Sequence, residues 1–369
     1  LSLKAYLQAE FYLLDKFYSC TTIVIHNEIY KVRVVVQNNM SVLKVEVVKI
    51  SEIKHHPNAD RLDIALFEGM AYQVITAKGN FKVGDLAYYF PIDSVIPDKY
   101  LDEFGIRNYY SKKLRAARLR GIFSEGLLIP VGGNFTGQLG DDYTEHFGVT
   151  KYEYPIPRGM SGEMENHIGQ YKFPSPENIK RYKDVFVDGE EVVVTEKVHG
   201  TNFTVLVDDE GVVKIGSHNY FWKNSEANKN LVYIRAYHEN PALQQLPVNT
   251  QVFGEIYGVQ DIKYGLSNGK IAIVLFAVRR GSEFLNYDEF VEFCNSHSLP
   301  TVPLLYQGAY NWETLSQFNN KDSVLCPSCM MEGVIIQPVQ ERTHPEIGRV
   351  VIKLISDRYL LRKDGTELH

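Results

Sequence analysis

Between residues 40 and 130 the apolar positions come in short runs separated by turn-forming residues. Val45-Glu46-Val47-Val48, Tyr72-Gln73-Val74-Ile75 and Leu86-Ala87-Tyr88-Tyr89-Phe90 read as strands, because successive strand side chains point to opposite faces. Pro57-Asn58-Ala59-Asp60 and Lys82-Val83-Gly84-Asp85 read as turns: Pro fixes φ, and Gly, Asn and Asp tolerate turn conformations. Short strands at this spacing predict a small β-barrel. Residues 131–176 are rich in Gly, Pro, Asn and Asp, as in Gly132-Gly133-Asn134, and read as a linker. A helix is predicted from about Pro176, with Asn178-Ile179-Lys180-Arg181-Tyr182 inside it.

Beyond it the pattern becomes α+β. Strands are expected at 191–195, 203–207, 251–255, 271–278, 333–337 and 349–354. A helix is expected near 287–297, with Asp288 in its first turn, where a carboxylate complements the helix dipole. Three segments result: residues 1–39, 40–150 and 151–369. Met40-Ser41-Val42-Leu43-Lys44 opens a cleaner pattern, so residues 1–39 are expected to be an upstream extension outside the native protein. The alternative is a genuine N-terminal strand region, since Thr22 to Ile25 and Val32 to Val36 have strand composition.

Composition narrows the class. Hydrophobic content of 44% and charged content of 23% are ordinary for a globular chain, and the formal net charge of -6 excludes a uniformly basic nucleic-acid glue. A local basic surface is still present: Lys112, Lys113, Arg115, Arg118 and Arg120 put five cations into nine residues, a density suited to phosphate contacts. Four cysteines in 369 residues do not form a disulfide scaffold. Cys326 and Cys329 form one Cys-x-x-Cys with no second pair at zinc-site spacing, so they read as two reduced thiols beside a turn at Pro327. A cytoplasmic location is expected. No apolar run approaches the ~20 residues that span a bilayer.

The chemistry centres on one junction. The apolar strand Val192-Val193-Val194-Thr195 runs into Glu196-Lys197-Val198-His199-Gly200-Thr201-Asn202-Phe203. A lysine at the end of such a strand is partly shielded, which disfavours the ammonium form and suits a nucleophile. Gly200 lets the backbone turn closely around a ligand. A P-loop is absent at the nearest string, Gly269-Lys270, because Tyr264 stands where the first Gly is required and Ile271 where Ser or Thr is required.

The run from Glu196 to Phe203 resembles the first signature, Lys-x-Asp/His-Gly, of the covalent nucleotidyltransferases, the superfamily of ATP-dependent ligases and capping enzymes. The His form followed by Thr-Asn-Phe is similar to RNA ligases. Later signatures follow in the family's order: Val252 to Gly258 around Glu255, Leu275 to Val278 around Phe276, Met331 to Ile336 around Glu332, and Val351 to Ile355 around Lys353. The resemblance implies that Lys197 becomes adenylated and that Glu255, Glu332 and Lys353 are catalytic. It implies that Glu255 and Glu332 serve Mg2+ or Mn2+. It also implies that Glu196, His199, Gly200, Asn202, His218, Phe276 and Lys353 bind ATP. His218 stands where the family often has Arg, and Ile355 where it often has a second Lys; Arg358, Arg362 and Lys363 are the nearby cations.

The segment from His56 to Leu62 resembles OB-fold tRNA-binding modules, and Tyr88, Tyr89 and Phe90 are candidate base-stacking residues. An OB-like barrel ahead of the catalytic domain resembles the Deinococcus/Naegleria-type RNA ligases. The expected architecture is therefore α+β: an N-terminal OB-like barrel over 40–150, then a nucleotidyltransferase (ATP-grasp-like ligase) domain over 151–369, with antiparallel sheets and flanking helices. The implied activity is ATP-dependent sealing of RNA 5′-phosphate and 3′-hydroxyl ends through a lysyl-AMP, at nicks in duplex RNA or RNA/DNA hybrids, by a monomer without membrane attachment. The alternatives are a capping-type guanylyltransferase, disfavoured by His199 and the N-terminal barrel, and a non-catalytic OB-fold RNA-binding protein.

Overall fold

A computed structural model describes residues 19–25, 28–34, 43–132, 136–153 and 162–362. The chain divides into two compact units, residues 1–40 and 41–369. In the first, β1 (Ser19–Ile25) pairs antiparallel with β2 (Glu28–Val34). Both expected N-terminal strand stretches fall within this hairpin, except Val35 and Val36, which lie outside the described residues.

The second unit opens with β3 (Glu46–His55), β4 (Leu62–Phe67), β5 (Gln73–Ala77) and β6 (Leu86–Phe90). These are followed by β7 (Ser94–Val95), α1 (Asp98–Glu103), β8 (Ala117–Leu119), β9 (Ile122–Ser124) and β10 (Leu127–Pro130). Strands β10-β6-β3-β4-β5 form a five-stranded antiparallel sheet that curls into an OB-like barrel. Tyr88, Tyr89 and Phe90 are fully buried, which corrects their reading as stacking residues. β6 carries core on both faces: Tyr88 and Phe90 pack with Phe147 and Tyr100, and Tyr89 packs with Phe67 and Val48. The barrel closes with α2 (Thr144–Phe147) and β11 (Thr150–Lys151), which pairs with β7. The linker expected over 131–176 thus contains short regular elements, among them β12 (Met164–His167).

Two sheets make the remainder. The first contains β12, β15 (Gly200–Val207), β16 (Val213–Gly216), β17 (Tyr220–Trp222), β18 (Thr250–Tyr257), β19 (Ala272–Arg280) and β20 (Glu283–Phe284), in the order β12-β17-β16-β15-β18-β19-β20. Helices α3 (Val232–Glu239) and α4 (Tyr287–Ser296) pack their apolar residues on it around Phe203, Val205, Val252 and Leu275. The second contains β13 (Glu177–Asn178), β14 (Glu191–Lys197), β21 (Leu304–Ala309), β22 (Gly333–Pro338) and β25 (Ile352–Ile355), in the order β13-β25-β22-β14-β21. The β23 (Thr343–His344) and β24 (Gly348–Arg349) hairpin joins β22 to β25, and the short α5 (Trp312–Ser316) and α6 (Asp357–Leu360) follow β21 and β25.

The helix expected from Pro176 does not form. Glu177 and Asn178 extend as β13, parallel to β25, and the Asn178 side chain then accepts the Lys180 backbone N–H in a turn. Tertiary contacts override the local helical pattern. Lys180 forms an ion pair with the buried Glu125 of the barrel and lies 3.7 Å from Asp357 of α6. Arg181 pairs with Glu46 of β3, and the Lys180 carbonyl accepts the Ala71 N–H at 2.6 Å. Burial raises the Glu125 carboxyl and the Lys180 charge opposes that rise.

Removing one member of a buried ion pair leaves its partner's charge uncompensated. Lys180→Ala is expected to lower unfolding stability by about 3 kcal/mol, whereas Lys180→Met combined with Glu125→Gln recovers most of that loss. Urea unfolding of the three proteins measures both effects.

Candidate active site

The chain crosses from one sheet to the other at Val198 and His199, between β14 and β15. That crossing fixes the chemistry. β14 is buried along nearly its whole length, so Lys197 is delivered at its end against an apolar support. β14 and β22 pair with Lys197 opposite Gly333, one residue beyond Glu332. Lys197 Nζ donates to Glu332 Oε1 at 2.5 Å. β22 in turn pairs with β25, with Ile335 opposite Lys353. Gly333 sits where a Cβ would meet the Leu354 carbonyl oxygen at 2.2 Å, so this close strand approach requires glycine.

β15 and β18 bring the second carboxylate. Asn202 stands opposite Glu255, side by side on one face. A Cβ on Gly200 would lie 2.1 Å from the Ile256 carbonyl oxygen and 3.0 Å from Glu255 Cγ, so the first glycine of the motif is also a packing necessity. Phe276 occupies the irregularity in the β18–β19 pairing, where Phe253 faces Ala277 and Gly254 faces Leu275. A bulge of this kind re-aims a side chain. The Phe276 ring meets Phe173 edge-on at 4.9 Å and remains half-buried, joining the cluster of Val198, Tyr264 and Tyr359 beside the lysine.

His199 is the hub. Its Nε2 lies 2.7 Å from Asp261 Oδ1, its Nδ1 lies 2.9 Å from the Tyr359 hydroxyl and 3.6 Å from Glu332 Oε2, and its backbone N–H donates to the Tyr264 hydroxyl at 2.6 Å. Burial works against a charged ring, but Asp261 and Glu332 outweigh it and hold the His199 pKa above its ordinary value. Asp261 also accepts from Arg362 at 3.2 Å. A chain of charges therefore runs from Arg362 through Asp261, His199 and Glu332 to Lys197.

The field of this group separates its acids. Burial alone would raise both carboxyls. Lys197 and His199 reverse the effect at Glu332 and hold it down at about 2. At Glu255 burial prevails, Glu332 adds repulsion, and the carboxyl is pushed up to about 8 despite Lys197. Burial first, then the charges of Lys197 and Lys151, push Lys353 down to about 8. Lys151 comes from β11, so the barrel contributes charge to the site.

Other expected site residues are distributed differently. Glu196 is buried and turned into the loop before β22, accepting from the Ser323 hydroxyl at 2.5 Å and the Val324 N–H at 2.8 Å. His218 is half-buried in the turn between β16 and β17. In the basic run, Lys113 is buried and pairs with Asp93 at 2.5 Å, which removes it from the candidate phosphate surface. Lys112, Arg115, Arg118 and Arg120 are exposed. The β8–β9 hairpin that carries the last two is held by the loop after β3: the His56 ring bonds the Leu119 carbonyl at 3.1 Å and Asn58 donates to the Arg120 carbonyl at 3.0 Å. Arg358 pairs with Asp322 rather than with the lysine group, and Lys363 lies outside the described residues. The sequence reading missed Asp261, Tyr264, Tyr359 and Lys151. Its one signal was His199 in the place of a motif acid, which calls for a carboxylate from elsewhere.

The fold and this lysine-centred group define a covalent nucleotidyltransferase with a barrel ahead of its catalytic domain. Residues 190–355 match the RNA ligase family model, and residues 44–131 match an OB-fold domain model. That matched stretch, a little under half of the chain, places its catalytic domain beside the RNA ligases. The chain is similar in structure to Naegleria gruberi RNA ligase with PPi, at 25% identity and a TM-score of 0.72, covering 86% of this chain and 98% of that one. Mutants of the same ligase with ATP and Mn (24% identity, TM-score 0.71) and with AMP and Mn (24%, 0.72) cover the same 86% and 98%. No curated protein sequence matches the chain.

Glu255 supplies a pH test. Unfolded, it ionises near 4.5; folded and without metal, it does so near 8. Between those values the folded protein holds a proton that the unfolded chain has released, so this contribution to stability is full below pH 4.5 and is lost as pH rises to 8. Thermal melts in chelator are expected to fall from pH 6 to 8 less steeply for Glu255→Gln than for the wild type.

Proposed function

We propose that the chain seals RNA 5′-phosphate ends to 3′-hydroxyl ends at nicks in duplex RNA or RNA/DNA hybrids, using ATP in three nucleotidyl transfers. It acts as a monomer inside the cell. The observation that carries the reading is Lys197 Nζ held by Glu332 at the mouth of a buried strand, with Lys353 beside it.

In the first transfer Lys197 Nζ gives up a proton to solvent, the neutral amine attacks the α-phosphorus of ATP to form an N–P bond, and the P–O bond to pyrophosphate breaks. In the second the RNA 5′-phosphate attacks that phosphorus and the lysine leaves. In the third the 3′-hydroxyl attacks the activated 5′-phosphate and AMP leaves. Each transfer develops negative charge on phosphate oxygens, and fixed cations aimed there stabilise it. Lys353 is the fixed cation on β25, and Lys151 adds to its field. Glu332 orients Lys197, and His199, braced by Asp261 and Tyr359, orients Glu332. Phe276 and Val198 offer an apolar face for the adenine, and Asn202 offers hydrogen bonds.

Glu255 and Glu332 would hold the divalent cation. The fit rests on Glu255 itself: burial and the neighbouring Glu332 drive this carboxyl up by more than Lys197 and His199 offset, and a further positive charge relieves it. Oxygen donors suit Mg2+ or Mn2+, and the described residues contain no cluster of three or more metal-ligating side chains, which leaves room for waters and phosphate oxygens. Such an ion, when bound, supplies positive charge to the phosphate oxygens. The exposed Arg118 and Arg120 of the barrel hairpin, with Lys112 and Arg115, serve the RNA backbone. Among the described residues no helix is long and apolar enough to cross a membrane.

Incubation with α-labelled ATP and Mn2+, followed by denaturing electrophoresis, tests the covalent step. Label is expected on the wild type, not on Lys197→Ala, and GTP is expected not to replace ATP. Lys353→Ala is expected to slow labelling by about a hundredfold or more. A folded, AMP-free wild type that takes no label rules out the ligase reading and leaves RNA binding alone. Sealing of a nicked duplex faster than of single strands tests the substrate class.

The hairpin is tested separately. Arg118→Ala with Arg120→Ala is expected to weaken RNA binding and to flatten its salt dependence by about 0.7–0.9 log units per lost phosphate contact. Unchanged binding across a salt titration removes the hairpin from the RNA path.

A further inference from the structure

The loop between α5 and β22 carries Cys326-Pro327-Ser328-Cys329, which the chemistry above does not use. Both thiols are free. The Cys329 N–H donates to the Cys326 carbonyl at 2.8 Å, closing a turn that puts the two side chains on one side. The thiols are within hydrogen-bonding reach of each other, and Cys326 Sγ also meets the Ser328 hydroxyl at 3.3 Å. These hydrogen bonds lower the Cys326 thiol, which favours the thiolate that closes a dithiol pair. Cys329 is the more exposed of the two.

The pair is tied to the active site from two directions. Ser323, whose N–H donates to the Cys329 carbonyl at 2.9 Å and whose hydroxyl accepts the Cys326 N–H at 3.3 Å, also donates to Glu196 at 2.5 Å. Glu196 immediately precedes Lys197. On the other side Cys329 Sγ receives a hydrogen bond from the Tyr264 backbone. The hydroxyl of Tyr264 accepts the His199 N–H. Both cysteines pack in the cluster that contains Val198 and Tyr359. A disulfide requires an S–S distance near 2.05 Å. Closing it shortens the thiol contact and changes the sulfur that Tyr264 meets, at a loop that braces the residues on either side of Lys197.

We propose that Cys326 and Cys329 form a reversible modification site, a dithiol that closes to a disulfide on reaction with a small-molecule disulfide and thereby slows adenylation of Lys197. The Cys329 thiolate, on the more exposed sulfur, attacks one sulfur of the small disulfide, forming a mixed disulfide and expelling one thiolate. The Cys326 thiolate then attacks Cys329 Sγ, forming the internal bond and expelling the second. Two protein thiols lose two electrons and two protons, and the small disulfide becomes two thiols. Excess reductant runs the sequence backwards. The effect on adenylation rests on the ligase reading above; formation of the bond does not.

The test treats the full chain with oxidised glutathione and then with dithiothreitol. Peptide mapping under non-reducing conditions is expected to find a Cys326–Cys329 bridge, and hydrogen exchange is expected to quicken at the Val324 and His199 amides. Labelling by α-labelled ATP is expected to fall about tenfold and to recover on reduction, since ångström-scale misplacement of reacting groups costs up to about a hundredfold. Cys326→Ser with Cys329→Ser is expected to label like the reduced wild type and to ignore the oxidant. Absence of the bridge overturns the site. A bridge with unchanged exchange and unchanged labelling overturns its coupling to Lys197, as does a double variant that the oxidant still inhibits. A reduced wild type that takes no label rejects the ligase reading instead, and mapping and exchange then still decide the bridge and its reach.

Discussion

Glu332 is shared between Lys197 at the end of a strand and His199 in the crossing that follows it, and the geometry of the site follows from that sharing. One carboxylate oxygen holds Lys197 at the end of β14 and the other faces His199 in the crossing to β15. For this to happen β14 and β22 must pair in one register, because a slip of one residue would turn every side chain of β22 to the opposite face. The same slip would carry Lys353 away, since β25 is registered on β22. The fully buried apolar residues Val192, Val193, Val194 and Ile336 therefore act on the chemistry at a distance: they specify the register that puts unlike charges together.

Charge balance explains the residues around that pair. A histidine in the crossing adds a base where an acid would add an anion, and Asp261 holds its pKa up from another part of the chain, itself balanced by Arg362. With His199 and Lys197 both turned towards Glu332, they offset the burial of Glu255 only in part, and its carboxyl stays well above the usual carboxylate range. The pair is thus divided into one carboxylate already committed to protein cations and one that awaits a charge from outside. Lys353 is under the opposite stress, shielded and crowded by other lysines, and a phosphate relieves it. Under the function proposed above, both stresses would be relieved by the same kind of ligand, a nucleotide carrying its cation.

Much of this was legible in the residues. The long catalytic strands and α4 announced themselves because period and burial agree: Val192 to Thr195 and Ile271 to Val278 are apolar runs that can only be core. The motif residues Lys197, His199 and Gly200 were visible because their close spacing is imposed by a single chain crossing. What sequence could not supply were contacts made across the fold. Asn178 to Tyr182 have helical composition, yet Lys180 and Arg181 are drawn out by acids on the barrel. Lys113 reads as one cation among five, but Asp93, with a backbone in the left-handed region, captures it. Tyr88 to Phe90 could not reveal that both faces of β6 are covered. Asp261 and Tyr359 belong to no short motif, and only folding brings them to His199.

The seam at Lys180 has a mechanical meaning. A buried ion pair, a second ion pair and a backbone hydrogen bond all join the barrel to the strand that flanks β25, within a few residues of each other. Such a seam resists both sliding and opening, so the barrel is not a tethered module that searches for its substrate independently. Barrel hairpin and nucleophile behave as two points on one rigid ruler. Under the function proposed above, a duplex would be selected by whether its own length and bend bring a strand break to the lysine while its backbone rests on the hairpin, and a break held at the wrong spacing would be rejected by stiffness rather than by any contact with its bases.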